Sequence, residues 1–350
     1  MLKRTVQFFV FLGLAVLFSW LSIKGFIADP EKMEKFKNSV IAVFNLKSLF
    51  FVFLSMVCGV VAHYFRALRN ILLIEPLGYQ VRKSTAFYSV MTCYLGNLAF
   101  PRLGEVLRCT FLQRYDKVPF QKSLGTVVVE RVFDLLIFAL LFILIIFLNK
   151  ELLVDLRINE NSDITLGESL YEKWSALWKM KYIILCILIG LVALFMVFRR
   201  LKATHQSNPN QSKIIIKIKN IVIELWQSLI SIKNLKHPFL FILYTIFIWL
   251  FYYFGVYLCF FAFDFLYHLG FMPAFVVLIL GSIAFMVAQG GIGAYPLIVA
   301  GVLSLYGVGY ENGTAAGWVG WGAQTIMILI VGCTTFILAS YLKIEDRSIK

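Results

Sequence analysis

The chain has 350 residues, of which 60% are hydrophobic and only 15% are charged. A water-soluble globule of this length needs a largely polar surface and cannot bury so much apolar side chain. The composition therefore excludes a cytosolic enzyme, a disordered chain and a secreted disulfide scaffold, and it predicts an all-α polytopic membrane protein. The net charge of +14 fits the basic excess of cytoplasmic loops better than nucleic-acid binding, because the Lys and Arg residues lie in short runs between apolar segments.

A transmembrane helix needs about 20 apolar residues. Stretches that meet or approach this length predict about eight spans, of which the first is expected to remain uncleaved: residues 5–27, 46–65, 123–148, 182–198, 239–263, 271–288, 297–305 and 317–342. Residues 86–100 are apolar but short, and they lead into Pro101. This segment predicts a re-entrant or broken helix rather than a full crossing.

The loops predict the orientation of these spans. Residues 199–236 hold eight Lys or Arg residues and one acid, so this loop is expected to be cytoplasmic, whereas residues 149–181 hold six acids and five bases and are expected outside. Both flanks of 86–100 are basic, which favours the re-entrant interpretation and places both termini in the cytoplasm. The loop between the first two spans carries three lysines, Lys32, Lys35 and Lys37, although it is expected outside, and it is the one exception to the rule.

We expect one integral membrane domain over residues 1–350, built from two loosely related halves. Its predicted parts are an N-terminal half (1–148), an external loop (149–181), a basic cytoplasmic loop (199–236) and a C-terminal half (237–342). Within the basic loop, residues 214–232 predict an amphipathic helix with an isoleucine- and leucine-rich face. Such a helix lies on the anionic cytoplasmic leaflet or packs against the protein's own spans.

Charged and helix-breaking residues follow directly after the short apolar segment. Arg102, Glu105 and Arg108 are spaced three residues apart, with Asn97 and Pro101 just before them. On a helix the three charged side chains would share one face, with the carboxylate between two guanidinium groups. The surplus positive charge would suit an anion, and arginine binds phosphate in a bidentate manner. The alternative is a plain cytoplasmic turn with solvated charges.

A second group of charges, Glu130, Arg131 and Asp134, lies inside a predicted span. Ionisable groups in a span are costly, and they normally face the protein interior and pair there. The spacing puts Glu130 and Asp134 on one helix face and lets Arg131 reach Asp134. These residues either form a structural ion pair or line a path for a lipid headgroup.

A third motif interrupts the apolar run of the C-terminal half, with Gln289, Gly290, Gly291, Gly293 and Pro296 in eight residues. Segments interrupted by Gly and Pro in corresponding halves predict a transport site built from discontinuous helices. The ends of the broken helices would present backbone N–H groups to an anion. The alternative is a tight connection between two spans.

Together these motifs resemble the lysylphosphatidylglycerol synthase transmembrane family, which is also called flippase-like. The similarity rests on the order of the motifs along most of the chain: Asn97, Pro101-Arg102-x-Gly104-Glu105-x-x-Arg108, Glu130-Arg131-x-x-Asp134 and Gly290-Gly291-x-Gly293, preceded by residues 63–69. The named enzymes of the family carry an aminoacyl-transfer domain after the membrane part. This chain ends at Lys350, so we expect the membrane module alone and no lysyl transfer.

The resemblance implies a bacterial inner-membrane protein that flips or binds an anionic or aminoacylated phospholipid, or a polyprenyl-phosphate lipid. The arginines of the motifs would bind the phosphate, and the carboxylates would hold those arginines or engage a cationic headgroup. The expected substrate-binding residues are Asn97, Arg102, Glu105, Arg108, Glu130, Arg131, Asp134, Gln289, Gly290, Gly291 and Gly293.

Membrane lipids are the expected partners, and a separate soluble transferase is a second candidate. We expect no nucleic acid and no cofactor, and no metal site, because the His and Cys residues show no ligand spacing. Two rival hypotheses remain. The chain is an enzyme, or the membrane subunit of a lipid-modifying glycosyl, acyl or aminoacyl transferase, or it is a scaffold that transports nothing.

Overall fold

The computed structural model describes residues 2–100, 102–148 and 234–342. Regular structure in these ranges is helical, which confirms the all-α fold. The ten α-helices of these ranges are α1 (Leu2–Ile27), α2 (Pro30–Ala42), α3 (Leu46–Ile74), α4 (Lys83–Ala99), α5 (Leu103–Asp116), α6 (Phe120–Leu148), α7 (Pro238–Phe260), α8 (Phe271–Val287), α9 (Ala294–Ser304) and α10 (Tyr310–Ala339). The predicted span 182–198 and the predicted amphipathic helix 214–232 lie outside the described residues.

Among the described residues, three helices are long and apolar enough to cross a membrane: α3 with its 3-10 extension to Leu77, α7, and α10. Two elements differ from expectation. The loop after α1 forms α2, because the carboxylate of Asp29 accepts a hydrogen bond from the Glu31 amide at 3.1 Å and caps the helix. Helix α3 continues to Ile74 rather than ending near residue 65, because Arg66 and Arg69 both pair with the carboxylate of Asp134.

Helices α4 and α5 form an antiparallel pair that we call the first hairpin. At its open end, Arg82 Nε donates to Asp116 Oδ1 at 2.8 Å, so the hairpin enters and leaves at the same face of the protein. Near its tip, the Gly104 amide donates to Asn97 Oδ1 at 2.8 Å, which holds the two helices together. This geometry is that of the predicted re-entrant segment.

Helices α8 and α9 form the second hairpin, with the glycine-rich turn at its tip. The sequence predicted separate spans over 271–288 and 297–305. The structure instead pairs α8 with α9, whose 11 residues extend only about 17 Å. Buried residues of both helices, including Ile279 and Leu303, join one apolar core with the end of α7.

The two halves have the same order of elements, because each has a long helix, a hairpin and a second long helix. Helices α3 and α7 run antiparallel: the Phe51 and Phe261 rings lie 5.3 Å apart at one end, and Lys236 Nζ lies 2.8 Å from Glu75 Oε1 at the other. The first hairpin therefore enters from the face that carries Arg82 and Lys236, which we call the basic face. The second enters from the opposite face, as in an inverted repeat.

The two hairpins meet tip to tip, and α10 runs past both of them. A methyl group at Gly317 would approach Pro296 Cα of the second hairpin to 2.5 Å. Further along, a methyl group at Gly332 would approach Leu95 Cβ of the first hairpin to 3.2 Å. Helix α6 behaves in the same way, because its first half contacts α5 and Ile145 near its end joins the core around α8. The long helices thus fix where the tips meet.

Candidate functional site

A buried carboxylate, Glu130, connects three helices beside the first hairpin. Arg108 of α5 donates to both of its oxygens, with Nη1 at 2.8 Å from Oε2 and Nη2 at 2.9 Å from Oε1. Asn70 of α3 donates to Oε1 at 2.8 Å. The side chains of Arg108 and Glu130 are 3% and 2% exposed. A bidentate arginine–carboxylate pair is the geometry that best compensates the burial of both charges.

The second carboxylate, Asp134, lies one turn further along α6 and is shared by two arginines of α3. Arg66 Nη1 lies 2.6 Å from Oδ2, and Arg69 Nη2 lies 2.8 Å from Oδ1. Arg69 is fully buried and also donates to Thr245 Oγ1 of α7 at 3.3 Å. The predicted span ended at residue 65, with both arginines in the basic flank after it, whereas the structure holds them inside α3, which continues to Ile74.

Arg131 pairs with Glu105 of α5 and not with Asp134 as the spacing predicted. Its Nη2 lies 3.0 Å from Glu105 Oε1, and we call these two residues the outer pair. The Arg131 side chain is 50% exposed and that of Glu105 is 22% exposed. The reason for the difference is that α3 supplies two arginines to Asp134, which allows Arg131 to turn toward α5. Asn97 Nδ2 reaches the same Glu105 oxygen at 3.5 Å.

Arg102 lies at the tip of the first hairpin, outside the helical register of α5. Its backbone has φ 61° and ψ 5°, a left-handed conformation that is uncommon for a residue with a side chain. The predicted shared face of Arg102, Glu105 and Arg108 is therefore wrong, since only the last two lie on the helix. Within the described residues, the exposed Arg102 side chain makes no hydrogen bond or ion pair.

The tip of the second hairpin contacts the first hairpin and α10. Gln289 Nε2 donates to the carbonyl of Leu98 at 3.0 Å, and Trp321 Nε1 donates to the carbonyl of Gly290 at 2.7 Å. Gly290, Gly291 and Gly293 have φ values of 59°, 71° and 69°, which glycine adopts without strain. Protein atoms fill the space beside them, most tightly where the backbone of α1 at Ser19 lies against Gly293.

The structure thus brings most of the predicted residues together in three neighbouring hydrogen-bonded groups, which we call the network. Its members are Asn97, Glu105, Arg108, Glu130, Arg131 and Asp134. Gln289 touches the first hairpin one residue away from Asn97, whereas Arg102 and the three glycines lie at the tips.

Sequence reasoning missed Arg66, Arg69 and Asn70. Their spacing of three and one residues directly after an apolar run was the available signal, because it puts all three on one face of a continued helix. Among the residues that the structure describes, no group of three His, Cys, Asp or Glu side chains is arranged to hold a metal ion.

The comparisons with known proteins agree with this architecture. A family model described as "Lysylphosphatidylglycerol synthase TM region" matches residues 7–332, which is most of the chain. The searches of curated proteins and of solved structures found no match. All-helical structure, apolar spans and the family match together make this a polytopic membrane protein tied to lipid modification. The chain therefore belongs to the lysylphosphatidylglycerol synthase transmembrane region family.

Proposed function

We propose that this protein is a lipid translocase. It binds an anionic or aminoacylated phospholipid, or a polyprenyl-phosphate lipid, and moves it across the bacterial inner membrane, with both of its own termini in the cytoplasm. The observation that carries the proposal is the outer pair, a partly exposed ion pair between α5 and α6. It lies beside the point where the tips of the two hairpins meet. Charges inside a membrane protein normally mark the path of a polar or charged substrate.

The depth of the outer pair supports this proposal. Arg131 lies 11 residues into α6, which begins at Phe120 on the basic face, so it is about 16 Å along the helix axis. That distance is about half the thickness of the hydrocarbon core. The neighbouring residues Val106, Val132 and Leu135 are 46%, 46% and 58% exposed. An apolar surface with charges at its centre can take lipid tails on its outer part and a headgroup at the outer pair.

Each charged residue of the site would have a role either in binding the lipid headgroup or in holding the helices together. Arg131, with Arg102 at the nearby tip, would bind the headgroup phosphate, because guanidinium groups match phosphate oxygens. Glu105 would release Arg131 to the phosphate and engage a cationic headgroup where one is present. Arg108 and Glu130 are locked to each other and would hold α5 against α6. Transport would follow from rocking of the two halves around the hairpin tips.

Reconstitution in liposomes tests the proposal. Purified protein is incorporated into vesicles that contain fluorescent phosphatidylglycerol, lysyl-phosphatidylglycerol or a polyprenyl-phosphate lipid, and an external quencher reports which lipids change leaflet. We expect movement of at least one class, with the initial rate reduced about ten-fold or more by Arg131→Ala, which removes a charge-assisted contact. Arg114→Ala, an exposed residue of α5 near the open end of the hairpin, is the matched control and should retain the rate. Folded protein that moves none of the three lipids would contradict the translocase.

A second candidate function follows from the family description, which names a synthase. The chain would then be the membrane subunit of a lipid-modifying enzyme, with a separate soluble transferase as its partner. That function predicts that the protein co-purifies with a transferase. It also predicts that modified lipid forms only when both proteins are present in the vesicles, and that no lipid changes leaflet there.

A further inference from the structure

The buried part of the network carries an unbalanced charge. Arg66, Arg69 and Arg108 supply three guanidinium groups, whereas Glu130 and Asp134 supply two carboxylates. The outer pair does not change this balance, because it contains one charge of each sign. One net positive charge therefore remains among side chains that are at most 14% exposed.

The surplus charge belongs to the two arginines of α3. Arg108 is matched by Glu130 through two hydrogen bonds, whereas Arg66 and Arg69 share the single carboxylate of Asp134. The Nε atoms of Arg66, Arg69 and Arg108 are all buried without a hydrogen-bond partner among the described residues, so the shared carboxylate is what sets the α3 arginines apart. A buried charge without a counterion and a buried donor without an acceptor are both costly. An anion beside Arg66 would supply the missing counter-charge and an acceptor for its Nε atom.

Phenolic hydroxyl groups connect Arg66 to the part-exposed surroundings of the network. Arg66 Nη2 donates to Tyr252 Oη at 3.5 Å, and the hydroxyls of Tyr252 and Tyr94 lie 3.3 Å apart. His63 Nδ1 lies 3.5 Å from Tyr252 Oη. Tyr94 and Tyr252 are each only partly buried, unlike Arg69. Their hydroxyls can donate to an anion that enters from the side of the outer pair.

We propose that Arg66 and Arg69, with Tyr252, form a buried subsite for a phosphodiester headgroup. The inference rests on the proposed lipid function and narrows its substrate. A phosphodiester carries one negative charge and cancels the surplus, whereas a phosphomonoester carries about −1.5 to −2 at pH 7 and would leave the site negative. The charge balance therefore selects a glycerophospholipid over a polyprenyl monophosphate. The phosphate would first meet Arg131 at the outer pair, where the headgroup enters, and would then be held at Arg66.

A binding measurement on the full chain in non-ionic detergent tests this subsite. The probe is dihexanoyl-phosphatidylglycerol, a water-soluble phosphodiester lipid, and isothermal calorimetry gives its dissociation constant. We expect Arg66→Gln to weaken binding about ten-fold or more, the effect of losing a charge-assisted hydrogen bond. The unliganded variant should unfold at no lower temperature than the wild type, because Asp134 keeps Arg69. Arg114→Gln, with the same charge change on an exposed site, should bind like the wild type.

A second variant and a second ligand complete the binding measurement. Tyr252→Phe preserves all charges and should weaken lipid binding by a smaller factor than Arg66→Gln. It therefore tests the subsite even if Arg66→Gln fails to fold. Unchanged affinity in both variants would overturn the subsite. A third arm replaces the lipid with inorganic phosphate. If phosphate binds in an Arg66-dependent manner and the lipid does not bind, the site belongs to a free anion, and the lipid assignment is overturned. Wild-type protein that binds the lipid at Arg66 but moves no lipid in vesicles would leave the subsite standing and remove only the translocase.

Discussion

At the scale of single residues, Glu130 is the side chain on which the packing of α3, α5 and α6 depends. It is 1% exposed, and Arg108 and Asn70 donate to it from two different helices. In an apolar interior, a buried ion pair adds little stability over a well-packed apolar pair, but removal of one partner leaves the other charge unpaired. Loss of the Glu130 carboxylate should therefore destabilise the packing of α3, α5 and α6 together.

We expect Glu130→Gln to lower the free energy of unfolding by about 3–5 kcal/mol, because it leaves the Arg108 guanidinium buried without a counter-charge. Denaturant unfolding of the protein in detergent, followed by tryptophan fluorescence, measures this loss. The comparison variant is Glu105→Gln, which removes the partner of the half-exposed Arg131 and should cost less than about 1 kcal/mol. Equal losses in the two variants would show that burial of the pair is not the deciding factor.

At the scale of elements, the first hairpin depends on close contact between two helices. Gly104 lies so near to the Cys93 carbonyl and to Asn97 that an added β-carbon would overlap both. The same close approach lets the Gly104 amide reach Asn97 Oδ1 at 2.8 Å. A side chain at this position must push α5 away from α4, and with it Glu105 and Arg108.

Gly104→Ala should therefore destabilise the protein by about 1–3 kcal/mol, the usual effect of overpacking. Gly301→Ala is the matched control, because Gly301 also lies in a hairpin helix but has no atom within 4 Å of an added β-carbon. That control should be neutral or stabilising by up to about 1 kcal/mol, from the higher helix propensity of alanine. Thermal unfolding of both variants in the same detergent compares them. A Gly104→Ala variant as stable as Gly301→Ala would argue against the close approach of α4 and α5 at this glycine.

At the scale of the whole molecule, the helix directions place the start of α1 and the end of α10 on one side. Phe26 near the end of α1 contacts Tyr310 at the start of α10, with ring centroids 6.5 Å apart, on the face opposite to the basic face. Helix α1 therefore starts, and α10 ends, toward the basic face. The excess of Lys and Arg in cytoplasmic loops predicts that the basic face is cytoplasmic.

Cysteine labelling tests this orientation. In a variant whose Cys58, Cys186 and Cys333 are replaced by Ser, which leaves the buried Cys93, Cys109 and Cys259, one cysteine at a time is placed at the exposed positions Lys37 of α2 and Lys117 after α5. A membrane-impermeant maleimide should label Lys37→Cys in intact spheroplasts, and it should label Lys117→Cys only after the membrane is opened. Labelling of both positions from outside would contradict the inverted arrangement of the two hairpins.

Much of this architecture could be predicted from local patterns. Apolar runs located most helices, and the Gly and Pro interruptions marked the tips of both hairpins, although the helices of the second hairpin were predicted as two separate spans. The charge partners could not be predicted in the same way, because Asp134 is separated by 68 residues from Arg66. Sequence spacing along one helix assigned Arg131 to Asp134, whereas packing of α3 against α6 decides the true pairs. The end of α3 was missed because hydropathy treats a paired arginine as a polar one.

The hydrogen bond between the two hairpin tips joins residues 191 positions apart in the sequence. When the ribosome has made α4 and α5, neither Gln289 nor the helix that flanks both tips has yet been synthesised. Until then the carbonyl of Leu98 near the tip of the first hairpin lacks its hydrogen-bond donor, Gln289, inside the membrane. Contacts between residues so far apart in sequence form slowly. We expect the nascent first half to require a membrane insertase or chaperone that shields this tip until the second half arrives.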